Sequence, residues 1–127
     1  MKVDLRKLPK EQKEFSLEYK NGEDFAQFNG SFYGKPPFLV ITGNIQGKIK
    51  VACDISGEEF FDTLNEDVKI KVVEGIHKGF DEEYDVVEND DSLFDFESFL
   101  HGEIELFRND YHKKEEISDK EFVFENL

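Results

Sequence analysis

Apolar and polar residues alternate over much of the first 80 positions, which predicts a domain built mainly from β-strands. The alternation covers residues 2–6 and residues 14–20, and a period of two places every second side chain on the same face of a strand. Pro9 separates these runs because proline cannot donate a hydrogen bond to a strand ladder. Asn21-Gly22 predicts a turn after the second run.

The clearest unit is residues 38–53. An apolar run at 38–41 is followed by a polar, glycine-containing segment and then by renewed alternation up to Cys53. This pattern predicts one long bent strand or a hairpin. Gly43 and Gly47 fall where a bulge, a turn or a close backbone approach is needed.

A third set of apolar residues spans residues 60–72. Its first half and its second half each alternate, and the polar stretch Leu64-Asn65-Glu66-Asp67 lies between them. We therefore expect two strands joined at residues 64–67, with a further connection at residues 54–59.

The period of the pattern changes after residue 92, where apolar residues recur at steps of three and four. This spacing places them on one stripe of a helix at residues 93–108. Either Ser92 or Asp95 can cap the helix, and Gly102 weakens it by about 1 kcal/mol relative to alanine. The residues of the stripe are Leu93, Phe96, Leu100, Ile104 and Phe107.

Segments rich in charged residues flank this helix in the sequence. Residues 81–92 contain seven carboxylates in twelve positions, which predicts a solvated loop with residues 84–87 as its one candidate strand. Residues 109–127 form a charged C-terminal extension, in which residues 122–124 are either a last strand or a frayed tail.

Together these elements predict a single α+β domain over residues 1–127. We expect a mainly antiparallel sheet, with barrel-like closure as one possibility, and one amphipathic helix in the C-terminal third. The predicted core comprises Phe15, Leu17, Ile49, Val51, Phe60, Leu64, Val68, Ile70, Leu100 and Ile104.

Composition agrees with a packed acidic domain. Leu, Ile, Val and Phe make up 40 of 127 residues, well above the roughly 20% below which disorder is expected. The formal net charge is −14, and residues 81–127 hold 17 acidic against 4 basic side chains. The sequence has no apolar run long enough for a membrane helix and no secretory signal, so we expect a cytoplasmic protein.

Residues that could carry out chemistry are few. Cys53 is the sole cysteine and shares the parity of Ile49 and Val51, so we expect a small buried side chain rather than a nucleophile. The three histidines form no metal-binding pair, and no nucleophile or acid–base motif is present. We therefore expect no enzymatic activity, no metal, no cofactor and no small-molecule substrate.

The candidate contact residues are basic. Lys48 and Lys50 point away from Ile49, and Lys69 and Lys71 point away from Ile70. If the two strands share a sheet, these lysines form a small basic face that could contact phosphates. The alternative is that they only solvate the sheet and discourage edge-to-edge aggregation.

A resemblance adds a functional expectation. Residues 42–60 read Thr-Gly-Asn-Ile-Gln-Gly-Lys-Ile-Lys-Val-Ala-Cys-Asp-Ile-Ser-Gly-Glu-Glu-Phe. This resembles the central signature of the YceD family, the bacterial large ribosomal RNA subunit accumulation proteins. The opening residues 3–9 and residues 94–104 resemble that family's start and its helix, so the similarity spans residues 1–108.

The resemblance implies a non-enzymatic factor that supports accumulation of large-subunit ribosomal RNA during ribosome assembly. The chain departs from the family pattern at Ser56, which replaces the second cysteine of a Cys-x-x-Cys pair, and residues 111–127 contain no cysteine. No metal or redox role is therefore carried over. The partner that the resemblance implies is large-subunit ribosomal RNA or a ribosomal protein, with direct contact to RNA left open. The alternative function is an acidic adaptor whose residues 81–127 bind a basic partner without RNA.

Overall fold

The computed structural model describes residues 1–113, which form an α+β fold. β1 (Lys2–Asp4) pairs with β7 (Leu93–Asp95) in a small two-stranded sheet, and the helix α1 (Phe96–Arg108) follows β7. The larger sheet contains, in spatial order, β2 (Lys13–Asn21), β3 (Asp24–Lys35), β4 (Phe38–Ala52), β5 (Glu59–Glu74) and β6 (Asp85–Asn89).

This architecture confirms the predicted fold class. Neighbouring strands of the large sheet are antiparallel except for β5 and β6, which are parallel. The sheet stays open because β2 and β6 are its edges and do not pair with each other. Within the described range, no helix has the length and apolar character needed to cross a bilayer.

α1 packs against one face of the large sheet and encloses the core. Phe96, Leu100 and Ile104 are buried, and the Phe96 ring centre lies 5.0 Å from that of Phe15 on β2. Burying each such side chain contributes about 1.5–3 kcal/mol. Eight of the ten predicted core residues are buried, while Leu17 and Phe60 are partly buried against the same cluster.

The predicted break at residues 64–67 is wrong, and so is the hairpin alternative for residues 38–53. β5 runs unbroken through this polar stretch because its neighbour β4 supplies partners: Asn44 Nδ2 donates to Asn65 Oδ1 at 3.0 Å and to Asp67 Oδ1 at 2.9 Å. Gly47 allows the backbones of β3 and β4 to approach closely, since a Cβ there would collide with the Phe25 carbonyl oxygen.

The helix begins three residues later than residue 93. Asp95 is the N-cap, and its Oδ1 accepts from the Glu97 amide at 3.0 Å. Leu93 belongs to β7 instead, where it pairs with Asp4. The candidate strand at residues 84–87 corresponds to β6, which begins one residue later and ends two residues later than predicted. The alternatives for residues 122–124 lie outside the described residues.

Candidate functional site

The four candidate lysines lie on adjacent strands and on the same side of the large sheet. Lys48 and Lys50 belong to β4, and Lys69 and Lys71 belong to β5. Lys69 is directly opposite Thr42, which has the same parity as the two β4 lysines, and directly opposite residues share a face. All four therefore point away from α1, onto the side that we call the outer face.

These lysines nevertheless form two separate pairs. Thr42, the register partner of Lys69, lies six positions from Lys48 along β4. At the rise of a β-strand this spacing corresponds to about 20 Å, which exceeds the Debye length of about 8 Å at physiological ionic strength. The two pairs therefore act on a ligand as independent charges.

A loop folds over the lysines of β5. Lys71 Nζ lies 2.5 Å from Asp81 Oδ2, and Lys69 Nζ lies 3.9 Å from Glu83 Oε2. Both ammonium groups also approach the Tyr84 ring, at 5.3 Å for Lys71 and 5.5 Å for Lys69. We call this region, consisting of Lys69, Lys71, Asp81, Glu83 and Tyr84, the covered end.

Electrostatics and burial show how tightly the covered end is closed. The hydrogen bond from Lys71, with those from the Glu83 and Tyr84 amides, lowers the pKa of Asp81 to about 2. Val40, directly opposite Lys71, is fully buried even though it lies on the outer face. Lys71 is therefore neutralised within the fold, whereas Lys69, whose side chain is 51% exposed, is paired more loosely with Glu83.

The opposite end of the outer face carries exposed aromatic rings beside its lysines. Phe25 is directly opposite Lys48, and Phe61 is directly opposite Lys50. The two rings are 38% and 41% exposed. Lys20 and Lys50 each place their ammonium group 5.9 Å from one ring, Phe25 and Phe61 respectively. We call Lys20, Phe25, Lys48, Lys50 and Phe61 the open corner.

The cations of the open corner differ in their surroundings. Lys50 Nζ lies 3.6 Å from Glu23 Oε1 and 3.8 Å from Glu59 Oε1, both on exposed side chains. Lys48 and Lys20, in contrast, form no ion pair within residues 1–113. The open corner therefore holds positive charge that the described part of the fold does not neutralise.

Mostly neutral polar side chains fill the outer face between its two ends, and the exposed carboxylates of Glu14, Glu18 and Asp67 lie among them. Some bond to each other across strands, as Ser16 Oγ does with Asn29 Oδ1 at 2.5 Å. Several of them line an open depression of about 600 Å³ together with Phe25 and Lys48. We call this set the polar ladder; its members are Ser16, Gln27, Asn29, Ser31, Thr42, Asn44, Gln46, Thr63 and Asn65.

The end of α1 braces the open corner from the core side. Arg108 Nη1 donates to Asp24 Oδ2 at 2.9 Å and to the Lys50 carbonyl at 3.2 Å. The Lys50 amide donates to Asp24 Oδ1 at 2.8 Å. Burial acts to raise the pKa of Asp24, but the Lys50 amide and the Arg108 guanidinium together outweigh it and lower that pKa.

His112 forms a second brace at the same end. Its Nδ1 lies 2.8 Å from Asp62 Oδ2 and its Nε2 lies 2.5 Å from the Phe107 carbonyl oxygen. Because both partners are acceptors, only the imidazolium satisfies them. Burial acts to lower the pKa of His112, yet the Phe107 carbonyl and the Asp62 carboxylate raise it overall.

The remaining sequence candidates occupy separate places. Cys53 is buried, as expected, and forms no disulfide. His77 lies beside Phe38 and His101 lies on α1. No group of three or more histidine, cysteine or carboxylate side chains in the described part of the chain is arranged to hold a metal ion.

The sequence reasoning missed the two rings of the open corner. A signal was present: Phe60 and Phe61 are adjacent, so they must point to opposite faces of β5. Phe25 and Phe28 are three positions apart on β3, so only one of them can reach the core. Phe28 is fully buried, and Phe25 is left outside.

Comparison with known proteins provides no further guide to the function. No family model, no curated protein and no solved structure matches this chain.

Proposed function

We propose that the protein is a non-enzymatic factor that supports accumulation of large-subunit ribosomal RNA during ribosome assembly, and that it contacts nucleic acid through the open corner. The resemblance of residues 42–60 to the YceD signature supports the biological role. The observation that carries the proposal is Lys48, an exposed cation without an ion pair in residues 1–113, beside the exposed rings of Phe25 and Phe61.

Local charge decides whether such a contact is possible. A chain of net charge −14 is repelled by RNA at long range, so attraction has to come from a nearby cation. The members of the polar ladder nearest to Lys48, Gln46 and Thr63, are neutral, and the carboxylates of Glu18 and Asp67 lie farther along the same face. Lys71 is a weaker candidate because Asp81 neutralises it, and Lys69 is a weaker candidate because it pairs with Glu83 and has no exposed aromatic ring beside it.

The test is co-sedimentation of the full chain with large-subunit precursor particles, with and without nuclease. We expect association to be nuclease-sensitive and lost in the double variant Lys48→Glu, Lys50→Glu. Lys69→Glu is a single-charge control on the same face at the covered end, to be compared with Lys48→Glu alone, and it should retain association. Co-sedimentation of the double variant as strongly as wild type would refute the proposal.

A specific observation favours the alternative of an acidic protein-binding adaptor. Of the seven carboxylates in residues 81–92, all except that of Asp81 belong to exposed side chains. Such a surface suits a basic ribosomal protein. Retention of a ribosomal protein after nuclease treatment, and its loss in a variant with Glu82→Gln, Asp90→Asn and Asp91→Asn, would support the adaptor over the RNA contact.

A further inference from the structure

We propose that the open corner binds an unpaired segment of RNA, with one base stacked on Phe25, a second base stacked on Phe61, and the intervening backbone phosphate on Lys48. The identification of the strand as RNA rests on the proposed function. The preference for an unpaired strand rests on the geometry of the corner.

The spacing of Phe25 and Phe61 along the sheet favours two bases that have separated from each other. Phe25 and Phe61 lie on β3 and β5, with β4 between them, and their register positions on β4 are Lys48 and Lys50. Strand separation and rise then place their Cα atoms about 12 Å apart. Successive bases in a duplex strand rise only about 3.4 Å along the helix axis, so a Cα separation of about 12 Å suits two bases of an unpaired, extended strand better than neighbouring bases of a duplex.

The position of Lys48 matches the phosphate between two such bases. It is the direct cross-strand neighbour of Phe25 and a diagonal neighbour of Phe61, so both rings are within reach of its long side chain. Aromatic rings can stack on any base, because every base has a stacking face, and cations contact the phosphates of the nucleic-acid backbone. The corner therefore combines the two parts of a single-strand binding surface.

The polar ladder supplies groups for base edges and ribose hydroxyls. The open depression beside Phe25 and Lys48 is also lined by Gln46, Thr63 and Asn65. The side-chain amide of Gln46 makes no hydrogen bond to other groups in residues 1–113, so both its donors and its acceptor can serve a ligand. Unpaired bases expose the edges that such amides bind.

The acidic neighbours of the corner set an upper limit on the electrostatic part of the affinity. Glu23 and Glu59 hold Lys50, which leaves Lys48 and Lys20 as the cations for phosphate contacts. With one or two phosphates neutralised on a single strand, the logarithm of affinity should fall with the logarithm of salt concentration with a slope of about −0.7 to −1.4. Most of the binding energy then comes from stacking.

The experiment uses fluorescence, because the chain contains no tryptophan. Phe25→Trp and Phe61→Trp each introduce a single reporter at a proposed stacking position. Addition of a short unstructured RNA should quench both, and the same RNA annealed to its complement should not. Phe80→Trp is the control, since Phe80 is 88% exposed but lies in the loop after β5, away from the corner; its emission should not change.

Affinity measurements complete the test. Stacking is worth about 1–3 kcal/mol per base, so Phe25→Ala and Phe61→Ala should each weaken binding of the labelled single strand by about tenfold, with Phe80→Ala unchanged. Equal affinity for duplex and single strand, unchanged affinity in both alanine variants, or quenching by a neutral polysaccharide in place of RNA would each overturn the inference.

Failure of this inference is distinguishable from failure of the proposed function. If precursor particles still co-sediment through Lys48 and Lys50 but the tryptophan reporters do not respond to single-stranded RNA, the unpaired-strand inference is wrong and the assembly role stands. If the reporters respond but no precursor particle associates, the stacking surface stands and the assembly role is wrong.

Discussion

The two ends of the outer face contain the same kinds of side chain in different surroundings. At the covered end, Lys71 contacts Asp81 at 2.5 Å and lies over the Tyr84 ring, and only 16% of its side chain is exposed. At the open corner, Lys48 stands opposite an exposed ring and has no ion pair in the described part of the chain. Residue type alone therefore does not distinguish a structural lysine from one available to a ligand.

The ends also differ in the side from which they are held. The covered end is held from the outer side, by a loop that donates Asp81 and Tyr84. The open corner is held from the core side, by Arg108 and His112 at the end of α1. Bracing from behind stabilises the strand ends while leaving the outer surface free, which is the arrangement a binding surface needs.

Removing the Arg108 brace behind the open corner should have the largest effect on stability. Arg108→Ala removes the guanidinium from Asp24, whose side chain is only 10% exposed, and leaves a nearly buried carboxylate with the Lys50 amide as its remaining partner. Because the site lies near solvent, we expect a loss of about 2 kcal/mol rather than the 3–5 kcal/mol of a fully buried pair. Urea denaturation followed by circular dichroism measures this loss.

Lys48→Ala provides the matched comparison for that measurement. An exposed residue without a structural partner changes stability by no more than about 0.5 kcal/mol, so this variant should unfold at the same urea concentration as wild type. If Lys48→Ala destabilises the fold as much as Arg108→Ala does, Lys48 has a structural role and the contrast between the two ends is wrong.

The second brace should make stability depend on pH. The pKa of His112 is raised in the fold, so its contribution is complete below the ordinary histidine pKa of about 6.5 and is lost as the pH rises through the folded value. The charged and polar groups facing the ring are Asp62, Asp110 and the Phe107 carbonyl. We expect wild type to lose about 1 kcal/mol across this range relative to His112→Asn, by urea denaturation.

Glu66 also makes stability depend on pH, so its titration has to be removed before the two proteins are compared. Burial, followed by the neighbouring Glu103 carboxyl, raises the pKa of Glu66 to about 8. The folded state therefore holds a proton that the unfolded state releases near pH 4.5, and stability falls as the pH rises from about 4.5 to about 8. Both proteins should carry Glu66→Gln. If the two Glu66→Gln proteins, with and without His112→Asn, show the same dependence of unfolding free energy on pH, His112 does not form the brace.

Alternation of residue types was sufficient to predict the sheet, the helix and most of the core, because burial on one face imposes a period on the sequence. It failed at residues 64–67, where polar residues continue a strand. The partner that makes this possible, Asn44, is twenty-one positions from Asn65 in sequence. A pairing between distant segments leaves no trace in a local pattern.

The site was predictable in part. The shared face of the four lysines follows from strand parity, and it is confirmed. Their separation into two pairs depends on the β4–β5 register, and the covering of one pair depends on how the loop after β5 folds back. The exposed rings were readable in principle from the adjacent Phe60 and Phe61, whose side chains cannot both enter the core.

The covering loop itself can be opened. Asp81 Oδ1 accepts from the Glu83 amide at 2.8 Å and from the Tyr84 amide at 3.0 Å, so Asp81→Ala removes the acceptor for both. Hydrogen exchange at these two amides should become several-fold faster, while amides of the open corner keep their wild-type rates. The pKa of Asp81 is lowered to about 2, so the wild-type protection should persist at neutral pH and fall as the pH drops from about 4 toward 2. Unchanged exchange in the variant would show that the loop is held by other contacts.

The smallest expected effect tests whether acidic neighbours limit the open corner as they neutralise the covered end. Glu59→Gln removes one of the two carboxylates near Lys50 without changing the size of the side chain. Lys50 then becomes freer to meet a phosphate, so affinity for single-stranded RNA should rise about two- to threefold and the salt slope should steepen by up to about 0.7. Glu83→Gln is the equivalent change at the covered end, beside Lys69, and it should leave RNA affinity unchanged because no ring at that end is open to a base. If Glu83→Gln raises RNA affinity as much as Glu59→Gln does, RNA binding depends on the overall charge of the domain. The two ends of the outer face then do not differ in how they bind RNA.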